Sequence, residues 1–354
     1  MVHHLSPFYF FYFSVLGVLI PFFPVYLKSL GYGPAQIGLL MAIFPATKIL
    51  SPPAWGWLAD RYFAPLWLVR VGSLISLLCF ILIPWTPLSG LPSLLVVFGF
   101  SWSAVLPLYE SVALAFLGLG NNRYADIRLW GSIGFVVASL LAAMWMEALM
   151  PIGSLPLLMA LLLAGQCIAS SFSPSPPIGI RKEAERSGRT LSGRFWVFIL
   201  GAFLLQVSHG AYYSFFSLFL DEHGYGRYEI GAIWSLGVLA EVLLFWGFRF
   251  CSSSVKSEDL LMLGLAITCL RWLALSIGIY HPVWVVLVQL MHAGSFGLPH
   301  LAAIKIIGET FGEQKNAKGQ GAYAGIGFGL GGLMGSLMAG CLWGRMSGEQ
   351  VFLI

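Results

Sequence analysis

The chain has 354 residues, 58% of them hydrophobic and only 10% charged, and its mean hydropathy is +0.84. Soluble domains carry roughly 25% charged residues, so a soluble enzyme or binding module is excluded. The excess of 19 Lys and Arg over 15 Asp and Glu is too small for a nucleic-acid surface, and no basic-aromatic patch accompanies it.

The N-terminal run lacks the Lys or Arg start of a signal peptide and stays apolar to Leu27, so it reads as a first span. A helical span needs about 20 apolar residues. Such segments fall at 6–27, 34–58, 64–84, 91–117, 129–149, 155–172, 195–220, 228–248, 258–280, 282–305 and 319–343. They are unbroken, without the alternation of barrel strands, and the predicted class is an all-α membrane protein. A twelfth segment begins near Ser347, but helix from there to Ile354 rises only about 12 Å, so the last helix is expected to be truncated. The glycine face of span 11 (Gly321, Gly325, Gly327, Gly329, Gly331, Gly332, Gly335) is then expected to lose part of its packing partner. The polar stretch 173–194, opening Ser173-Pro174-Ser175-Pro176-Pro177, has linker composition. It divides an N-terminal half, 1–172, of six helices from a C-terminal half, 195–354, of five helices and the start of another. The five cysteines are scattered without CxxC spacing, which removes disulfide and metal readings.

Basic residues set an orientation. With the N-terminus cytoplasmic, the inner loops hold Arg61, Arg123, Arg181, Lys182, Arg186, Arg189, Arg194, Arg249, Lys256, Lys315 and Lys318, against Lys28, Arg227 and Arg345 outside. Residues 22–38 (FFPVYLKSLGYGPAQIG) and 215–231 (FFSLFLDEHGYGRYEIG) match at an offset of 193, with eight of seventeen positions identical. Each window joins one span to the next, six spans apart, so the copies share an orientation. This predicts two parallel six-helix halves.

Charges within spans are costly and mark pathways. Lys48 and Glu241 are equivalent under the offset of 193, and Arg70 and Arg271 form a looser pair at 201. Glu110 lies in span 4, Arg128 opens span 5, His209 lies in span 7, and His292 and His300 in span 10. His209, His300, Arg70 and Lys305 read more readily as packing or snorkelling residues. Gly56, Asp60 and Arg61, in Gly56-Trp57-Leu58-Ala59-Asp60-Arg61, end span 2. The glycine permits close helix approach, and the acid can latch a neighbouring helix N-terminus or a basic side chain.

These residues carry a resemblance. GWLADR (56–61) is similar to the loop 2–3 signature of the major facilitator superfamily, though its usual trailing Gly-Arg is replaced by Tyr62-Phe63-Ala64. YLKSLG (26–31), RLWGS (128–132), HGAYY (209–213), WSLGVLAEV (234–242) and HLAA (300–303) resemble the branch of proton-coupled phenylpropionate permeases. A more distant resemblance is to lactose permease. It implies substrate binding by the helix-4 acid and helix-5 arginine, here Glu110 and Arg128, and proton coupling by a helix-8 acid, helix-9 arginine and helix-10 histidine, here Glu241, Arg271 and His292. That family's second coupling acid is Ser295 here.

The implied function is secondary active transport by alternating access in the bacterial inner membrane: proton symport of a small organic solute, first an aromatic carboxylate, held by Lys48, Glu110 and Arg128. Gly56, Asp60 and Arg61 would serve as a gate. A sugar or nucleoside is the alternative within the class. An intramembrane enzyme or receptor is the alternative outside it, against which stand the absence of HExxH and of any sizeable loop beyond the linker. No cofactor is expected beyond the proton gradient, and the partners are substrate, protons and lipid, with the protein a monomer.

Overall fold

With no water in the bilayer core, each apolar segment must close its own backbone hydrogen bonds, which a helix does. The computed structural model describes residues 4–117, 123–174, 193–248, 250, 255–311 and 316–354. Among them eleven helices are long and apolar enough to span: α1 (Ser6–Ser29), α2 (Pro34–Arg61), α3 (Pro65–Leu82), α4 (Leu91–Leu117), α5 (Arg123–Met144), α6 (Leu155–Phe172), α7 (Gly193–Glu222), α8 (Arg227–Phe248), α9 (Ser257–Gly278), α10 (Pro282–Phe311) and α11 (Gly319–Leu342). A short α12 (Gly348–Leu353) follows. Every expected span is present. α5 starts earlier and α10 ends later than expected, because their polar end turns, with Asp126 and with Lys305 and Glu309, are helical without being apolar. The linker cations from Arg181 to Arg189, with Arg249 and Lys315, lie outside the described residues.

The two similar windows fold alike. Gly31 and Gly224 both take left-handed backbone, φ +90° and +82°, which only glycine adopts without strain. Each ends its helix with matching bonds: Tyr32 N donates to Leu27 O (3.2 Å) and Tyr225 N to Leu220 O (3.1 Å). Each next helix opens with a matching reverse cap, Gly33 N to Gln36 Oε1 (2.9 Å) and Gly226 N to Glu229 Oε2 (2.7 Å). Both tyrosine hydroxyls pin the turn to a distant carbonyl, Leu88 O (2.6 Å) and Ile279 O (2.8 Å). The other proposed pair does not hold. Arg70 sits one turn into α3 and Arg271 four turns into α9, so the offset of 201 matches unrelated depths.

Within the first six helices α1 packs on α5 and α6, and α4 on α2 and α3. Among the later ones α7 packs on α11, and α10 on α8 and α9. The two groups meet chiefly along two seams, α2 with α11 and α5 with α8, with α1 also touching α7 between them. The last glycine of each repeated window makes each seam tight. A methyl on Gly38 would sit 2.6 Å from Gly340 Cα, and one on Gly231 would sit 2.8 Å from Ser139 O. Both lie at the end of the bundle that carries Lys28. At the opposite end, methyls on Gly56, Gly321 and Gly325 would meet nothing within 4 Å. The bundle is therefore closed at the Lys28 end and parted at the Asp60 end. Four of the seven glycines of the span-11 face pack closely on other helices of the chain. Gly331 and Gly335 approach the backbone of α7, and Gly329 and Gly332 approach Ile49 and Pro45 of α2.

A methyl on Gly335 would lie 2.2 Å from Val207 O, backbone that cannot yield cheaply. Gly335→Val is expected to lower stability by about 1–3 kcal/mol, read as a fall in the thermal unfolding midpoint in detergent. Gly56→Ala, with open space around it, should leave the midpoint unchanged or slightly higher.

Candidate functional site

Two clusters face each other between the seams. In the first, Arg128 Nε lies 3.5 Å from Glu110 Oε1, and Tyr124, one turn earlier on α5, donates to the same oxygen at 3.2 Å. The Arg128 guanidinium lies over the ring of Phe13, 4.3 Å from its centre, and 5.6 Å from that of Tyr9. The acid and base that the resemblance to lactose permease singles out thus lie together, and both remain about one-third exposed. Tyr12 and Trp102 stack nearby at 4.4 Å.

Lys48 lies midway along α2. Thr47 and Ser51 pack on α4, bonding Ser103 Oγ and Phe100 O, while Pro45 and Ile49 meet α11. Phe44, one turn earlier on the Lys48 face, packs on Phe23 of α1. Leu39 and Leu50, on the far side, are the lipid-exposed residues, at 54% and 68%. Lys48 therefore points between the two halves. It is exposed there and has no hydrogen-bond or ion-pair partner among the described residues.

The second cluster is organised by Arg271, fully buried in α9. Its Nε donates to Val288 O (3.2 Å), Nη1 to Ser295 Oγ (3.1 Å) and to His292 Nδ1 (3.0 Å), and Nη2 to Gln289 Oε1 (2.7 Å). The rings of Tyr212 and Trp272 lie 4.4 and 4.6 Å from the guanidinium. A guanidinium only donates, so His292 Nδ1 accepts and the neutral imidazole carries its proton on Nε2. That nitrogen faces Glu241 Oε2 at 3.8 Å. Glu241 thus reaches Arg271 through His292, and Ser295 fills a guanidinium donor without adding charge. Helix geometry helps: α10 passes through a wide turn at Ala293–Gly297, a departure frequent at functional sites. Pro299 leaves Ser295 O without its helical donor, and the Thr268 hydroxyl of α9 lies 3.2 Å from that oxygen.

Gln289 was not singled out from the sequence, yet it joins three elements. Its Nε2 donates to Tyr212 Oη (3.1 Å) and Ile233 O (3.0 Å) while Oε1 holds Arg271. Its one sequence signal is an amide in an apolar run, one turn before His292. His209 is buried, with Nδ1 on Leu205 O (2.8 Å) and its ring edge-on to Trp272. His300 lies between Phe296 and Tyr323. Arg70 binds the carbonyls of Ser170 and Ser171 at the end of α6, as expected of a structural residue. Lys305 donates to Val255 O (2.5 Å).

Of the gate residues, Gly56 makes no close helix approach, and Arg61 lies 5.7 Å from the ring of Trp57. Two polar contacts that join the halves lie at the other end. Lys28 Nζ is 3.5 Å from Asp221 Oδ2 and 3.4 Å from Glu222 Oε1, and Glu147 Oε2 accepts from Tyr228 N (2.8 Å) at the start of α8. Asp221 is the repeat equivalent of Lys28.

A family model described as the MFS_1 like family matches residues 2–354. The chain is 30% identical over 362 residues to the Probable 3-phenylpropionic acid transporter of Escherichia coli (strain K12), covering 98% of this chain and 92% of that protein. It is 27% identical to maltose permease of Geobacillus stearothermophilus, over 98% and 89% of the two chains. The crystal structure of nucleoside transporter NupG superposes with a TM-score of 0.83 at 17% identity, over 99% of this chain and 94% of that one, a likeness of fold.

Replacing Gln289 by Leu removes the partner of Arg271 Nη2 and Tyr212 Oη and leaves Ile233 O without its side-chain donor. Each buried orphan costs about 1–3 kcal/mol. Gln289→Leu should therefore lower the thermal unfolding midpoint well beyond what an exposed Leu-for-Gln change produces. An unchanged midpoint would mean that the network carries no stability.

Proposed function

The chain belongs to the MFS_1 like family and is a multi-pass membrane transporter, not an enzyme, and from this we propose that it is a proton-coupled symporter of a small organic acid, of the arylalkanoate kind. The observation that carries the reading is the line Glu241–His292–Arg271, which places an ionisable carboxylate between the halves and links it to a buried cation. In this reading Glu241 carries the proton. With the proton bound, the negative charge facing His292 is gone and the Arg271 network is free to shift. Lys48 and the Glu110–Arg128 pair form the substrate subsite, with Phe13, Tyr12 and Trp102 for an aromatic ring. The similarity to the Probable 3-phenylpropionic acid transporter of Escherichia coli supports this substrate class.

The excess of basic residues near the Asp60 end assigns that end to the cytoplasm, so the closed Lys28 end faces outward and the cavity opens inward. Substrate and proton would enter from outside when the seams at Gly38 and Gly231 part and the Asp60 end closes. Gly56, with open space beside it, is where a helix could then dock, with Asp60 and Arg61 at the same end. No cofactor is involved, and the membrane is the bacterial inner membrane. A sugar or nucleoside substrate is the second reading, favoured by the Tyr12–Trp102 stack beside a paired acid and base and by the similarity to maltose permease. Uptake by vesicles of a panel of labelled acids, sugars and nucleosides, with and without an inside-alkaline gradient, separates the two.

Two measurements test the scheme. Cysteines introduced beside Arg61 should label with an impermeant reagent only from the cytoplasmic side, and beside Lys28 only from outside; the reverse pattern would overturn the orientation. Glu241→Gln should abolish uphill accumulation driven by pH while leaving solute exchange intact, because exchange needs no net proton release. Normal pH-driven accumulation in that variant would move the proton site elsewhere.

A further inference from the structure

The charged groups between the halves do not balance. Arg128 lies 3.5 Å from Glu110, and that carboxylate also accepts from Tyr124. Four of the five N–H groups of Arg271 are taken by Val288 O, Gln289, His292 and Ser295, with Glu241 beyond the imidazole. Arg128 on α5 and Glu241 on α8 stand on the two helices of one seam, so both clusters border one space. The two arginines are therefore matched by two carboxylates. Lys48 faces the same space with open surface and no partner among the described residues. An unpaired cation midway along a span is costly, and one carboxylate would satisfy it with a charge-assisted bond.

We infer that Lys48 is the anchor for the substrate carboxylate, and that Glu110 acts as a guard that occupies Arg128 and so keeps the site from offering a second anchor. This rests on the organic-acid reading above and sharpens it: the site selects a molecule with one negative charge. A neutral molecule leaves Lys48 unmatched. A dianion brings a second carboxylate to a cavity whose remaining cations are taken. One anion entering with one proton also leaves the charge of the loaded cavity equal to that of the empty one, so the cycle moves no net charge.

The test is binding to the purified full chain in detergent, by calorimetry, with three probes of similar shape: 3-phenylpropionate, its uncharged amide, and the dianion phenylsuccinate. The wild type should bind the first at least tenfold more tightly than the other two. Lys48→Met should weaken 3-phenylpropionate about tenfold to a hundredfold and leave the amide unaffected, while Lys48→Arg restores acid binding. Since Lys48 has no partner to orphan, the unfolding midpoint of Lys48→Met should not fall. Glu110→Gln should admit phenylsuccinate, because Arg128 is released; this gain cannot arise from misfolding. Wild-type protein that ignores 3-phenylpropionate would overturn both the organic-acid reading and this one. Acid binding that survives Lys48→Met, or a Glu110→Gln variant that still excludes the dianion, would overturn this one alone.

Discussion

A guanidinium buried in the middle of a span has no water to turn to, and the second half of the molecule is arranged around that constraint. Arg271 finds acceptors on α10 alone: the Val288 carbonyl, Gln289, His292 and Ser295. Gln289 then ties α10 to Tyr212 of α7 and to the Ile233 carbonyl of α8. One charge on α9 thus fixes the mutual placement of four helices. The proline at 299 and the wide turn before it belong to the same arrangement, since they free a carbonyl that α9 reaches with Thr268. The cation's nearest counter-charge in this network stands on the far side of an imidazole, so any change at Glu241 is transmitted through a ring whose other nitrogen is already committed.

The spans were readable because length and apolarity suffice to define a helix in lipid. The repeated turns were readable for a different reason: Gly31 and Gly224 must adopt positive φ, and a residue type with a unique backbone freedom leaves a visible mark. Glu110 and Arg128 were legible as charges within the spans, and their pairing through the resemblance to lactose permease. What escaped sequence reading was whatever depends on how distant helices meet. Gln289 looks like any amide until Arg271 is placed beside it. Arg70 and Arg271 look like a pair until their depths are compared, since one serves a helix end and the other organises a core. The glycines of α11 suggested a missing neighbour, yet two helices already in the chain take up four of them.

Close packing and open space are divided between the ends of the bundle. Where Gly38 meets Gly340 the backbones touch without intervening side chains, and where Gly231 meets α5 only the small side chains of Ser139 and Ala143 stand between. Contact of this kind is short-ranged, so a small separation forfeits most of it. Such a seam is suited to being either shut or apart. The ion pairs of Lys28 at the same end are more than one-third exposed and contribute little to stability by themselves.

Lys28 and Asp221 occupy the same place in two copies of one motif, yet they face each other. That happens only near an axis relating the halves, where a position meets its own counterpart. Two identical halves would set lysine against lysine there, or acid against acid. Opposite charges therefore make each half a poor match for a second copy of itself and a good match for the other. The asymmetry at this one position favours pairing within the chain over pairing between chains, which is a protection against misassembly while two similar helical units emerge in succession from the ribosome.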